Sequence, residues 1–194
     1  MGRLQRDATV TGFNGTAVTR FTQVLYRHGL MMGAAALVFG LLSLESGPLW
    51  PSLTGFLENP GKYIGALLGI LVFIGVYVHF SKAGRQPQHV WWLVYLLYIS
   101  VVEELAFRLF LPDLASIWMT PFAAIILSNL IFAGLHYVTL RWKLANCIFT
   151  FFGGIGLSRL FEFSGDLALV VLAHFLVTFL NTPRPPDRPV QDRT

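Results

Sequence analysis

The sequence predicts an all-α membrane protein, a polytopic bundle of about six transmembrane helices. Three observations lead there. Of the 194 residues, 55% are hydrophobic and only 12% charged, too few charges to cover a soluble surface, and mean hydropathy is +0.62. Six apolar runs, at about 28–44, 62–80, 90–111, 119–138, 144–161 and 166–181, approach the ~20 residues that cross a bilayer as a helix. The Lys and Arg residues fall almost entirely in the tails and short connections between those runs.

Residues 1–27 form a cytoplasmic or interfacial N-terminal segment. Arg3, Arg6, Arg20 and Arg27 favour headgroups there, and 17–27 suits an interfacial helix. No cleavable signal peptide is apparent. Residues 28–181 are the intramembrane helical domain, with its motif-bearing core at 90–181. Its first run stops at Gly47-Pro48 and Pro51, and the second starts after Asn59-Pro60-Gly61. Gly65 and Gly69 on the second run make a G-x-x-x-G packing or dimer signal. The third run opens with Trp91, Trp92 and Tyr95, an aromatic interfacial belt, and ends at Pro112. The fifth holds Phe152-Gly153-Gly154-Ile155-Gly156, which suits close helix packing rather than phosphate binding, because it lies inside an apolar run. Its Cys147, the single cysteine, packs as a small apolar residue and excludes an intrachain disulfide or a multi-cysteine metal site. Residues 182–194, rich in Pro and Arg, are expected to be a disordered cytoplasmic tail.

Charge sets the orientation. With six spans and both termini inside, the inner side holds Arg3, Arg6, Arg20, Arg27, Lys82, Arg85, Arg141, Lys143, Arg184, Arg188 and Arg193, which is 11 of the 14 Lys and Arg residues. Lys62 and Arg159 fall outside, and Arg108 lies in a span. An added or missing span would scramble this asymmetry. The expected location is a bacterial plasma (inner) membrane with cytoplasmic N and C termini. The net charge of +4 sits in loops and does not point to nucleic acid.

Polar groups at membrane depth carry the chemistry. A charged group at a helix centre costs roughly 2.5–3.5 kcal/mol even on the lenient insertion scale, so such groups are functional candidates by default. The third run carries Glu103-Glu104-Leu105-Ala106-Phe107-Arg108. Glu104 and Arg108 are i,i+4 neighbours and can pair, whereas Glu103 is rotated about 100° away. That spacing predicts a division of labour, with Glu104 neutralised by Arg108 and Glu103 left as a general base or acid. A purely structural ion pair is the plain alternative. His136 on the fourth run shares a face with Phe132 and Asn129, and His174 on the sixth shares one with Thr178 and Asn181. Either polar stripe alone suits interhelical hydrogen bonding, worth ~0.6 kcal/mol on average. Both beside a Glu-Glu-Arg helix point to a site. His28, His79 and His89 are expected at the headgroups. No G-x-S-x-G, Walker or H-E-x-x-H pattern is present.

Glu-Glu-x-x-x-Arg, then Phe-x-x-x-His, then a late His, each in an apolar run, resembles the CAAX-protease and bacteriocin-processing family. This is the Abi group of glutamic intramembrane proteases, which includes the eukaryotic Ras-converting endopeptidase. The resemblance covers about residues 90–181. It departs at the third motif, where the family has Asn or Asp four residues after the late His and this chain has Thr178. It departs again at Leu109, where many bacterial members have Gly. The resemblance implies peptide hydrolysis by a Glu-activated water without a cofactor. Glu103 would be the base and His136 would hold and polarise the water. His174 with Thr178 or Asn181 would stabilise the oxyanion, Asn129 is another source of the missing amide, and Arg108 would pair with Glu104. The implied partners are the bilayer and a membrane-anchored protein or peptide substrate, a C-terminal tail among the options.

Three other readings stay open. The same Glu and His residues can hold Zn²⁺ and leave a position for water. The chain can be a non-catalytic membrane immunity or regulatory protein. It can also be a proton-coupled channel or transporter, although it lacks the internal repeats such proteins show. His136 falls toward the cytoplasmic end of its run, so a cavity opening to the cytoplasm is expected.

Overall fold

The structure is a computed structural model that describes Val18 and residues 20–80 and 88–186. It is all-helical, with no strand among the described residues. Eight helices are described, in chain order: α1 (Phe21–Leu42), the short α2 (Leu49–Ser52) and α3 (Thr54–Glu58), α4 (Pro60–Phe80), α5 (Gln88–Ser116), α6 (Pro121–Leu140), α7 (Leu144–Ser164) and α8 (Leu167–Asn181). Helices α1, α4, α5, α6 and α7 are long and apolar enough to cross a membrane. Helix α8 is apolar but has 15 residues, about 22 Å of helix against a hydrocarbon core of ~30 Å. The six apolar runs are therefore five full-length helices and one short one. Asp166 caps the start of α8, accepting from Leu169 N at 3.0 Å. Pro183, two residues beyond Asn181, prevents its continuation.

Helix α5 is the axis of the bundle. Its Trp92, Tyr95, Leu96, Ile99, Ser100, Glu103 and Glu104 recur at three- and four-residue spacing and are all buried. Trp92 and Tyr95 thus differ from the expected interfacial belt. They face inward, and Trp92 Nε1 donates to the Thr182 carbonyl at 2.8 Å, while Trp91 alone of the three stays exposed. The period-3.6 face, rather than position at the head of the run, decides which aromatic points in. Phe107, fully buried, meets Phe39 of α1 edge-on at 6.3 Å and Phe132 of α6 at 5.4 Å.

Helices α1, α6 and α8 pack on α5, and α7 packs on α6. Helix α4 is peripheral. Only Tyr63 and Ile74 of it are buried, and it is fastened by a hydrogen bond from Tyr63 to Asp166 and by Tyr77 against Phe179 at 5.5 Å. A Cβ on Gly65 or Gly69 would meet nothing within 4 Å, so that glycine pair makes no close packing among the described residues. Gly33 of α1 behaves differently, because a Cβ there would lie 2.3 Å from the Tyr98 hydroxyl oxygen of α5. Large apolar side chains such as Leu68, Val72 and Leu180 face outward, which lipid favours and water does not.

Two helices widen locally into π turns, α1 over Leu25–Gly29 and α5 over Leu105–Phe110. A π turn fits one extra residue and rotates the rest of the helix beyond it, and such turns concentrate at functional sites. Inside the second, the Phe107 carbonyl accepts a hydrogen bond from Ser128 Oγ of α6 at 2.7 Å. The two π turns carry His28 and Arg108.

Candidate active site

Three imidazoles from three helices surround one buried carboxylate. Glu103 of α5 is 2% exposed. His28 Nε2 of α1 lies 2.9 Å from its Oε1, off the line of a well-formed hydrogen bond. His136 Nε2 of α6 lies 3.6 Å from the same oxygen, and His174 Nε2 of α8 lies 3.6 Å from Oε2. Partners behind the rings fix their orientation. His136 Nδ1 is 2.9 Å from the Phe132 carbonyl, which can only accept, so this nitrogen carries hydrogen. The His136 ring also lies edge-on to His28 at 4.7 Å and against Trp142 at 4.8 Å.

Glu104 makes the expected i,i+4 pair, with Arg108 Nε 3.3 Å from its Oε2 and both side chains sealed from solvent. It does more than neutralise Arg108. Its Oε1 lies 2.5 Å from His174 Nδ1, so the two glutamates are joined through one imidazole. Arg108 spreads its guanidinium over the Phe132 ring at 4.3 Å, a cation–π contact that partly replaces lost solvation.

These groups sit on the wall of a cavity of about 240 Å³. Glu103, His28, His136, His174, Thr178 and Asn181 all line it, and Trp92, Leu96 and Phe149 give it an apolar wall. Asn129 does not line it. Its Nδ2 donates to the Ile125 carbonyl and to Ser158 Oγ of α7, both at 2.9 Å, so it ties α6 to α7 behind Arg108. Gly154 permits that approach, because a Cβ there would fall 2.2 Å from Asn129 Oδ1 and 3.2 Å from Arg108 Nη2. Gly154→Ala is expected to destabilise the protein by about 1–3 kcal/mol through overpacking. Gly153→Ala, with nothing within 4 Å of its Cβ, should lose no stability. Thermal unfolding of both variants in detergent checks the contrast.

Ligand atoms of His28, Glu103 and His136 lie within 4.8 Å of one another, a spacing that one divalent ion can bridge. His28 corrects the headgroup expectation, since it is 2% exposed and in contact with the central carboxylate. The available signal is the apolar stripe of Phe21, Val24 and Leu25, which starts the helix about two turns ahead of His28.

Residues 85–180 match the family model described as type II CAAX prenyl endopeptidase, Rce1-like. Through this segment the chain belongs to that family. The Rce1-like segment begins three residues before Gln88 and ends one residue short of Asn181, so it contains Glu103, Glu104, Arg108, His136, His174 and Thr178 and leaves out His28. The family is one of CAAX-type membrane proteases, in keeping with the five membrane-length helices of this integral membrane protein. No curated protein and no solved structure matches the chain.

Proposed function

We propose that this membrane protease hydrolyses its substrate with a water activated by Glu103. The observation that carries the reading is a carboxylate held at an apolar cavity by imidazoles rather than by Lys or Arg. Glu104 is occupied by Arg108 and by His174 Nδ1, whereas Glu103 keeps a lone pair for water. In the proposed step Glu103 takes one proton as the water oxygen bonds to the peptide carbonyl carbon. His136 holds the water. His174, its Nδ1–H anchored on Glu104, can donate Nε2–H in its imidazolium form to the developing oxyanion, and Thr178 or Asn181 on the same face supplies a second donor. The C–N bond then breaks as the proton on Glu103 passes to the leaving amine. No resident metal takes part.

The substrate is proposed to be a membrane-anchored protein or peptide cut near its C-terminal tail, by analogy with the prenylated tails in the family's description. An apolar wall of Trp92, Leu96 and Phe149 suits a lipid-modified or apolar segment. The cavity is bordered by Val24, Trp92, Leu140, Trp142 and Thr182, at helix ends that also carry Arg141, Lys143 and Arg184, and such basic residues favour the cytoplasmic face. The tail is therefore proposed to enter from that side of a bacterial inner membrane. Quantitative membrane proteomics of cells carrying Glu103→Ala tests the reading. A membrane protein that retains its C-terminal tail in the variant and loses it in the wild type is expected, and identical C-termini in both strains would contradict it.

Zinc is the second reading, favoured by the spacing of the His28, Glu103 and His136 ligand atoms. It predicts near-stoichiometric metal in the purified protein.

A further inference from the structure

We propose that Arg27 and Arg141 hold the phosphate of an anionic phospholipid whose acyl chain lies in the groove between α1 and α6. The groove has a volume of about 490 Å³. Tyr26, Arg27, Leu30, Met31 and Ala34 of α1 line it, and the last turn of α6 closes it. It shares no lining residue with the catalytic cavity.

Two guanidinium groups meet at one end of this groove. Arg27 Nη2 of α1 donates to the Val138 carbonyl of α6 at 3.5 Å. Arg141 directly follows the last turn of α6, and its charge acts on Arg27. Like charges this close repel unless an anion lies with them. No carboxylate pairs with either arginine among the described residues. The described acids outside the active site belong to the other end of the bundle. Glu45 follows the end of α1, Glu58 precedes α4, Asp113 and Glu162 lie in the last turns of α5 and α7, and Asp166 caps the start of α8.

Arg141 carries two further costs. It is 7% exposed, and its Nε has no hydrogen-bond partner among the described residues, an expensive state for a buried cation. Its backbone is left-handed, with φ 58° and ψ 42°, and it is the only non-glycine residue with positive φ among the described residues. Glycine or asparagine is the usual choice at such a helix end. A phosphate accepting from both guanidinium groups offsets the repulsion and the unmet donor together. The rest of the groove selects a lipid over a free phosphate ion. Tyr26, Leu30 and Met31 are exposed on a helix of membrane length, where acyl chains rather than water cover such side chains. Ala34, seven residues beyond Arg27, keeps the groove open for roughly 10 Å along α1. Basic pockets between membrane helices suit anionic headgroups, above all on the cytoplasmic side that basic residues favour.

The test is native mass spectrometry of the full chain released from detergent micelles, titrated with phosphatidylglycerol or phosphatidylcholine of matched acyl chains. The wild type is expected to retain one phosphatidylglycerol about 10-fold more tightly than phosphatidylcholine. Arg27→Gln and Arg141→Asn should each weaken the phosphatidylglycerol complex by about 10-fold. Asn tolerates the left-handed backbone at 141, so that variant keeps the fold. Ala34→Phe leaves both charges in place and fills the groove, and it too should weaken the complex. Arg159→Gln, paired with Glu162 at the other end of the bundle, should bind as the wild type does. Phosphatidylglycerol should also raise the unfolding temperature of the wild type and leave that of Arg27→Gln/Arg141→Asn unmoved. An excess of inorganic phosphate should not displace the lipid. Equal retention of the two lipids by the wild type, or undiminished retention by the double arginine variant, overturns the proposal. Ala34→Phe binding as tightly as wild type, or displacement by inorganic phosphate, would mean that the arginines take an anion without its acyl chain, and the lipid site fails.

Discussion

Glu103→Gln is expected to lower the rate of peptide cleavage by about 10³-fold or more while leaving the protein folded. Gln keeps the shape and the hydrogen-bonding oxygen but cannot accept a proton, and a positioned general base contributes about 10²–10⁴-fold. The fold should tolerate the change, because the site is held by helix packing and the substitution removes a buried charge rather than stranding one. His136→Ala should lose a similar amount of kcat, since the ring anchored on the Phe132 carbonyl faces the same carboxylate oxygen at 3.6 Å. Steady-state cleavage by the purified variants, alongside their thermal unfolding, separates lost chemistry from lost structure. A Glu103→Gln enzyme with wild-type kcat would remove the base.

Arg108→Ala has the largest expected effect on stability. Glu104 and Arg108 both have fully buried side chains. Removing the guanidinium strands a carboxylate that also anchors His174, and breaking a buried pair from one side costs about 3–5 kcal/mol. The Phe132 ring loses its cation partner as well. The double variant Arg108→Leu/Glu104→Leu should be less destabilised than Arg108→Ala, because no charge is left uncompensated. Denaturation midpoints of both variants in one detergent measure the difference. A single variant as stable as wild type would mean that Glu104 needs no cation.

Much of the fold was legible in the sequence because a bilayer requires long apolar runs, and those runs map onto α1 and α4–α8. The Glu104–Arg108 pair followed from i,i+4 geometry and is observed, although the π turn starting at Leu105 was invisible to a regular 3.6-residue count. Glu103, His136 and His174 come together as their separate polar stripes implied. Two features escaped. Counting the first apolar run from His28 puts that residue at the interface, whereas the helix starts at Phe21 and carries it inward. The role of Glu104 as a bridge to His174 depends on how α8 rotates against α5, a tertiary choice that spacing along either helix does not contain. Asn129 shows the opposite case. Its amide was one candidate for the oxyanion, yet its helix face points at Ser158 rather than at the cavity.

The most direct measurement of whether Glu103 activates water by itself is metal content and cleavage rate on the same purified sample, before and after stripping with a chelator. A glutamic mechanism predicts well under one metal ion per chain and an undiminished rate after stripping. One zinc ion per chain, with activity lost on chelation and restored by added zinc, would contradict it and assign the His28, Glu103 and His136 cluster to a metal.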